Sequence, residues 1–175
     1  MIRHLLLATA VAAAPAMACA QATPTLPKAG ACADAEHGQF DFWVGRWVVN
    51  PTGKDKVVAE SLIEKVYGCG IRENWMPNVP NGDGGSLSIY VPGQKAWRQT
   101  WIDAQGSYTD YHGGWDGHAM VLTADQPGPD GAPGLGRMIY TVGADGSVRQ
   151  AGSASKDGGK TWTPTFDFTY RKKGP

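Results

Sequence analysis

Polar side chains able to do chemistry occur in stretches of this sequence that are rich in tryptophan. Glu73 stands two residues before Trp75, and Gln99 and Asp103 alternate with tryptophans in 96–103. Alternate residues of a β-strand share one face, so these polar groups lie among indole rings. Aromatic walls with a few convergent polar groups are typical of a ligand site. The residues expected to line it are Glu73, Trp75, Trp97, Gln99, Trp101 and Asp103.

Two of these residues are carboxylic acids, which opens a catalytic alternative. Burial raises the pKa of a carboxyl group, so Glu73 and Asp103 could act as the acid–base pair of an isomerase or hydrolase. A buried carboxylate is costly without a partner. The sequence offers three arginines as partners, Arg46, Arg72 and Arg98.

Two arrangements without a ligand site also stay open for these residues. The same faces could point to solvent, or the interior could be packed shut. A filled interior would make the protein a structural or interaction module, and we would then expect an exposed apolar patch around Tyr108, Tyr111 and Trp115.

The densest cluster of titratable residues is 110–118, with two His and two Asp around glycines. Such groups can bind a divalent metal, but the spacing matches no standard ligand set and an exposed polar hairpin has the same composition. Haem would need His112 or His118 as its ligand. We therefore assign no metal ligand and no cofactor. The sequence also lacks Gly-x-Ser-x-Gly and His-Glu-x-x-His, so no catalytic residue is assigned.

The segment 155–162 reads Ser-Lys-Asp-Gly-Gly-Lys-Thr-Trp and fits the Asp-box pattern. In this pattern the Asp carboxylate accepts hydrogen bonds from turn N–H groups while glycines take positive φ values. A single copy cannot build the propeller of a sialidase. It predicts a hairpin staple between the last two strands.

Charge excludes one class of partner. The chain has 16 basic and 16 acidic residues among 175, and its longest basic run is Arg171-Lys172-Lys173. Nucleic-acid binding needs a basic patch, so we expect no nucleic-acid partner.

The elements that must position these side chains are short strands. The stretch 40–49 combines four aromatics with Trp47-Val48-Val49, which favours a first strand. About ten such strands follow one another, separated mostly by turns rich in the 24 Gly and 12 Pro. The segment 57–67 is ambiguous between helix and strand, and its β-branched residues favour strand.

A meander of this length avoids a bare edge most simply by closing into a barrel. The expected fold is therefore all-β, an antiparallel up-and-down barrel of 8–10 strands at 40–172. A β-sandwich is the alternative. Gly45 lets backbone pass beneath a neighbouring side chain, and Trp47 can plug one barrel end.

Residues 1–20 have the pattern of a signal peptide. Arg3 and His4 precede an apolar run, and Ala18-Cys19-Ala20 fits the cleavage rule, so we expect cleavage between Ala20 and Gln21. The apolar run is too short to span a bilayer, and a lipoprotein acylated at Cys19 is less favoured. Residues 21–39 would form a flexible leader, and Asp34 could cap a short helical turn within 31–42.

Cysteine usage fits export to the periplasm or the medium. Once Cys19 leaves with the signal peptide, Cys32 and Cys69 remain, and an oxidising compartment favours a disulfide between them. Two free buried thiols are the alternative.

The sequence also resembles known barrel proteins. Phe42-Trp43-Val44-Gly45-Arg46-Trp47 is similar to the Gly-x-Trp entry to the first strand of lipocalins and other calycin-type barrels. The resemblance implies that a late basic residue packs across Trp47, and Arg171 is the candidate. Barrel closure is thus assigned to Gly45, Trp47 and Arg171.

The whole mature chain resembles a group of uncharacterised exported bacterial proteins with lipocalin-like barrels. Four segments carry this resemblance: Phe40–Trp47, Gly68-Cys69-Gly70-Ile71-x-Glu73, Gln99-x-Trp101-x-Asp103 and Ser155-x-Asp157-Gly158-Gly159. The resemblance implies the fold and no activity. The function expected from the residues is binding of a small, partly apolar molecule inside the barrel, with no membrane span. The sequence leaves the oligomeric state open.

Overall fold

The computed structural model describes residue 30, residues 32–128 and residues 130–174. The expected signal peptide, its cleavage site at Ala20 and Gln21, and the expected leader up to residue 29 lie outside the described residues. Within the described ranges, no helix is both long enough and apolar enough to cross a membrane.

Ten antiparallel strands account for nearly all the regular structure of the described chain. They are β1 (Gly45–Pro51), β2 (Ala59–Val66), β3 (Gly70–Pro77), β4 (Gly84–Val91), β5 (Ala96–Asp103), β6 (Tyr108–Trp115), β7 (Met120–Asp125), β8 (Leu135–Val142), β9 (Val148–Ser155) and β10 (Thr163–Lys172).

Each strand pairs with its neighbour in sequence, and β1 pairs with β10. The β1–β10 register runs from Trp47 opposite Lys172 to Pro51 opposite Phe168. The predicted closed up-and-down barrel is therefore confirmed, and the sandwich alternative is wrong because every edge is paired. The ambiguous segment forms β2, with Ala59, Ser61 and Ile63 buried on its inward face.

One end of the barrel is closed by the residues that precede β1. A short helix, α1 (Ala35–Gly38), begins after Asp34, whose Oδ1 accepts the backbone N–H of His37 at 3.0 Å, as the sequence predicted. A 3-10 turn (Asp41–Trp43) follows. The rings of Phe40 and Trp43 stack at 5.0 Å between centroids, and both are fully buried. We call residues 35–43 the plug.

A disulfide anchors the chain just before the plug. Cys32 is bonded to Cys69, with their Cα atoms 5.2 Å apart, so the predicted pairing is confirmed. Cys69 lies in the turn between β2 and β3. The bond therefore ties the segment before α1 to the barrel wall.

Trp47 joins the plug to the barrel. Its Nε1 donates to the carbonyl oxygen of Trp43 at 2.8 Å. The cation over its ring is Lys172, with Nζ 4.0 Å from the ring centroid and donating to the carbonyl oxygen of Val44 at 2.7 Å. The assignment of this role to Arg171 is wrong. Arg171 pairs with Val48, one residue out of register with Trp47, so its side chain points to the other face.

Gly45 leaves room for the Lys172 side chain in this contact. Its φ is +152°, and a Cβ there would collide with Nζ of Lys172. The glycine is what lets the lysine reach across to Trp47 and Val44.

We expect Lys172→Ala to lower the free energy of unfolding by about 1 kcal/mol, because it removes the cation–π contact and the hydrogen bond to Val44. Arg171→Ala, the neighbouring exposed position, is the matched control and should change it by less than about 0.5 kcal/mol. Urea unfolding followed by tryptophan fluorescence measures both. Equal effects would contradict the role given to Lys172.

Loss of the disulfide should be more costly. The bond closes a sequence separation of 37 residues, for which chain entropy gives about 3–4 kcal/mol of stabilisation. We expect the double variant Cys32→Ser, Cys69→Ser to unfold at correspondingly lower denaturant concentration. Reduction of the native protein should add two hydrogens to its mass, and an unchanged mass would contradict the bond.

Candidate functional site

A cavity of about 260 Å³ lies inside the barrel, at the end away from the plug. Several of its aromatic residues are only half-buried, so the cavity opens to solvent at this end. The lining residues are Glu73, Trp75, Trp101, Tyr111, Met138, Gln150, Phe166, Phe168 and Tyr170.

Two glycines on the barrel wall let aromatic rings lie close to the backbone. Gly152 stands opposite Phe166 in the β9–β10 register, and a Cβ there would collide with the Phe166 ring. A Cβ on Gly84 would lie 2.6 Å from Cζ2 of Trp101. Each ring therefore packs over a residue without a side chain, which leaves the centre of the barrel hollow.

Glu73 is the acidic group of the cavity. It is 4% exposed, Ser61 Oγ donates to its Oε1 at 3.2 Å, and Ser86 Oγ donates to its Oε2 at 3.1 Å. Burial raises the pKa of Glu73 to about 7, partly opposed by the hydrogen bonds from Ser86 and Ser61. The group is therefore divided between its acid and carboxylate forms near neutral pH.

A chain of hydrogen bonds lies between the cavity and the plug. The Tyr170 hydroxyl donates to Gln150 Oε1 at 2.6 Å, and Gln150 Nε2 donates to the Tyr140 hydroxyl at 3.0 Å. Tyr140 donates in turn to Gln99 Oε1 at 3.4 Å, and Gln99 Nε2 donates to Ser88 Oγ at 3.0 Å. Each of these buried polar groups is satisfied by its neighbours, so the chain forms a rigid polar floor.

The structure separates the six residues predicted to line a site. Glu73, Trp75 and Trp101 lie on the cavity wall. Gln99 belongs to the polar floor. Trp97 is fully buried against the plug, where its Nε1 donates to Gln39 Oε1 at 3.2 Å. Its assignment as a lining residue is wrong because it stands four residues deeper along β5 than Trp101.

Asp103 was also placed in the site by alternation, and this assignment is wrong. Its Oδ1 accepts the backbone N–H groups of Gln105 and Ser107 at 2.9 and 3.0 Å, which fixes the β5–β6 hairpin. The hydrogen bond from Ser107 is the main cause that lowers the pKa of Asp103. Since Glu73 and Asp103 have different partners and only Glu73 lines the cavity, the acid–base pair of the catalytic alternative is not assembled.

None of the three arginines considered as partners reaches Glu73. Arg72 pairs with Glu64 at 2.7 Å and Arg98 pairs with Asp110, both on the outer face of the barrel. Arg46 is exposed. Strand alternation explains the first two, since residue 72 is adjacent to the inward Glu73 and residue 98 to the inward Gln99.

The 110–118 cluster points outward. His112 and His118 are exposed, and Asp116 Oδ1 accepts the backbone N–H groups of His118 and Ala119, each at 2.8 Å. In the described part of the chain, no three His, Cys, Asp or Glu side chains converge on one point. Neither histidine lines the cavity, so neither is placed to hold a group there.

The patch expected of a filled barrel does not form as predicted. Tyr108 is 68% exposed, but Tyr111 is buried and lines the cavity, and Trp115 is half-buried against Phe42. The cavity itself contradicts a fully packed interior.

The Asp-box segment joins β9 to β10 as predicted. Asp157 Oδ1 accepts the N–H groups of Lys160 and Thr161 at 3.0 and 2.9 Å, and Trp162 Nε1 donates to the carbonyl oxygen of Gly159 at 2.9 Å. Hydrogen bonds led by the one from the Thr161 side chain lower the pKa of Asp157 to about 2. The segment is a structural staple outside the cavity.

Sequence reasoning missed six of the lining residues and both serines that bind Glu73. The alternation of Phe166, Phe168 and Tyr170 along the last strand was a usable signal, because it marks one aromatic face. No such signal pointed to Ser61 and Ser86, which reach Glu73 from two different strands. The residues missed on the wall are Tyr111, Met138, Gln150, Phe166, Phe168 and Tyr170.

Comparison with known proteins assigns neither a family nor a function to the chain. No protein-family model matches the chain, and no curated protein matches it significantly. The site must therefore be interpreted from its geometry.

The raised pKa of Glu73 predicts how stability depends on pH. Because the pKa rises from 4.5 unfolded to about 7 folded, the folded state binds more protons in this range, and stability falls as pH rises from about 4.5 to 7. We expect Glu73→Gln to remove this loss and to raise the free energy of unfolding at about pH 8 by up to about 3 kcal/mol.

Asp103→Asn is the matched control, since its carboxyl has a lowered pKa and should stabilise the fold at neutral pH. It should lower stability at about pH 8. Urea unfolding at about pH 5 and about pH 8 measures both variants. A Glu73→Gln protein less stable than the native one at about pH 8 would contradict the burial of an unpaired carboxylate.

Proposed function

We propose that this protein binds a small, partly apolar molecule in the cavity of an exported, lipocalin-like barrel. The observation that carries the proposal is the cavity of about 260 Å³ whose aromatic wall surrounds one buried carboxyl group. A concave apolar space with few polar groups is the usual make-up of a site for a small molecule.

The packing of rings around the cavity supports a binding site that is preorganised before the ligand enters. Trp75 and Phe168 stand 5.7 Å apart between ring centroids, and Phe166 stacks on Phe168 at 5.3 Å. These rings hold one another in place, so little ordering is left for the ligand to impose, which favours affinity. The polar floor below them stops a ligand from reaching the plug.

Export is supported by the covalent structure. The Cys32–Cys69 disulfide belongs to an oxidising compartment such as the periplasm or the extracellular medium. The signal-peptide pattern at 1–20 points the same way. On these grounds we propose membership of the group of exported lipocalin-like proteins whose motifs the sequence resembles.

Binding of 2-naphthol, a neutral and partly apolar probe, tests the proposal. We expect titration to quench tryptophan fluorescence, because Trp75 and Trp101 form part of the wall. Trp101→Ala should weaken binding about tenfold or more, since about 1.4 kcal/mol of ring contact is lost. Trp162→Ala removes a tryptophan outside the cavity and is the matched control, with unchanged affinity expected.

Circular dichroism would first show that both variants are folded. No binding to the native protein, or equal binding to both variants, would contradict a ligand site in the barrel. Native mass spectrometry of protein purified from its own host then identifies the natural ligand.

A further inference from the structure

Resting on the function proposed above, we infer that the cavity selects a small organic cation, a protonated amine whose ammonium group pairs with Glu73 while its apolar part lies between the aromatic rings. Three observations about the cavity lead to this ligand class.

The first is the charge of the cavity wall. Glu73 is the one acidic side chain among the nine lining residues, and those nine include no Lys, Arg or His. The nearby arginines Arg72 and Arg98 are paired with Glu64 and Asp110 on the outer face. A negative group without a counter-ion among the described residues leaves that place to a positive ligand.

The second is unused hydrogen-bonding capacity. An ionised carboxylate has about four acceptor sites, and Ser61 and Ser86 occupy one on each oxygen of Glu73. The Tyr170 hydroxyl lies close enough to Glu73 to help lower the pKa of that carboxyl group, but its short hydrogen bond directs the proton to Gln150. An ammonium group carries up to three donors, so it can fill the acceptor sites that the protein leaves free.

The third is the chemistry of the wall. The faces of Trp, Tyr and Phe rings attract cations, with Trp the strongest. Trp75, Trp101, Phe168 and Tyr170 line the space beside Glu73. A carboxylate ligand would meet both these ring faces and the charge of Glu73, and it would be repelled by both.

Within the described ranges, the other ionisable groups facing Glu73 are phenols. Tyr170 on β10, Tyr140 on β8 and Tyr111 on β6 all have pKa values raised by burial, so they stay neutral. Glu73 is thus the group that titrates here near neutral pH, and amine binding must displace its proton when the pH is below about 7.

Three compounds that share a phenylethyl group test the inference by isothermal titration calorimetry: 2-phenylethylamine, 2-phenylethanol and 3-phenylpropionate. At about pH 8 we expect the amine to bind at least tenfold more tightly than the alcohol, and the carboxylate most weakly. At about pH 6 the amine should bind about tenfold more weakly than at about pH 8, with proton release, and the alcohol should be unaffected.

Glu73→Gln should abolish the preference for the amine and its pH dependence, while Asp116→Asn, a carboxyl change in the β6–β7 hairpin outside the cavity, should keep both. A preference retained in Glu73→Gln would overturn the role of Glu73. Should that variant fail to fold, a pH-independent amine affinity of the native protein would overturn it equally.

The outcomes separate this inference from the function beneath it. If 2-phenylethanol or 2-naphthol binds and the amine is not preferred, the cavity is a ligand site and the inference is wrong. If neither 2-naphthol nor any phenylethyl compound binds, both are wrong.

Discussion

The pairing of β1 with β10 closes the barrel and shapes its whole interior. It removes the two free edges of a long meander and brings the last strand beside the first. Closure also carries the aromatic face of β10 across the barrel to β3, where Trp75 lies 5.7 Å from Phe168 between ring centroids. An open sheet would leave Phe168 without this contact, and the cavity that Trp75 and Phe168 line would not exist.

The interior divides into a packed end and a hollow end because inward residues differ in size along the strands. At the packed end, Trp43 of the plug and the barrel residues Trp47 and Trp97 fill the interior. At the hollow end, small side chains such as Ser86 face inward, and Gly152 lies beneath the ring of Phe166. The polarity of β4 is the reverse of the common pattern, since Leu87 is 54% exposed while its serines are buried. The buried hydroxyl groups are then available to a carboxyl group that an apolar interior would expel.

Burial of Glu73 as a carboxylate lowers the stability of the folded protein. Burying a carboxylate without a cation destabilises the fold, and the two serines compensate only in part. Strained or costly groups persist where the surrounding structure fixes them, and they are enriched at functional sites. The disulfide, the Trp47–Lys172 contact and the continuous ladder of the barrel supply the stability that tolerates such a group.

The fold class, about ten strands, the disulfide and the Asp-box staple could all be predicted from the order of amino acids, because each depends on local pattern or on a pair of cysteines. Alternation correctly assigned Glu73, Trp75 and Trp101 to one side of their strands. Alternation carries no information on depth, however, so it could not tell Trp97, beneath the plug, from Trp101, on the cavity wall. Nor could it show that the Asp103 side chain bonds to the backbone of its own hairpin. It also could not show that the β1–β10 register places Lys172, and not Arg171, beside Trp47. The contacts of Ser61 and Ser86 with Glu73, and the lack of any such contact from an arginine of the described residues, could be seen in the folded barrel alone, because they depend on how separate strands align around it.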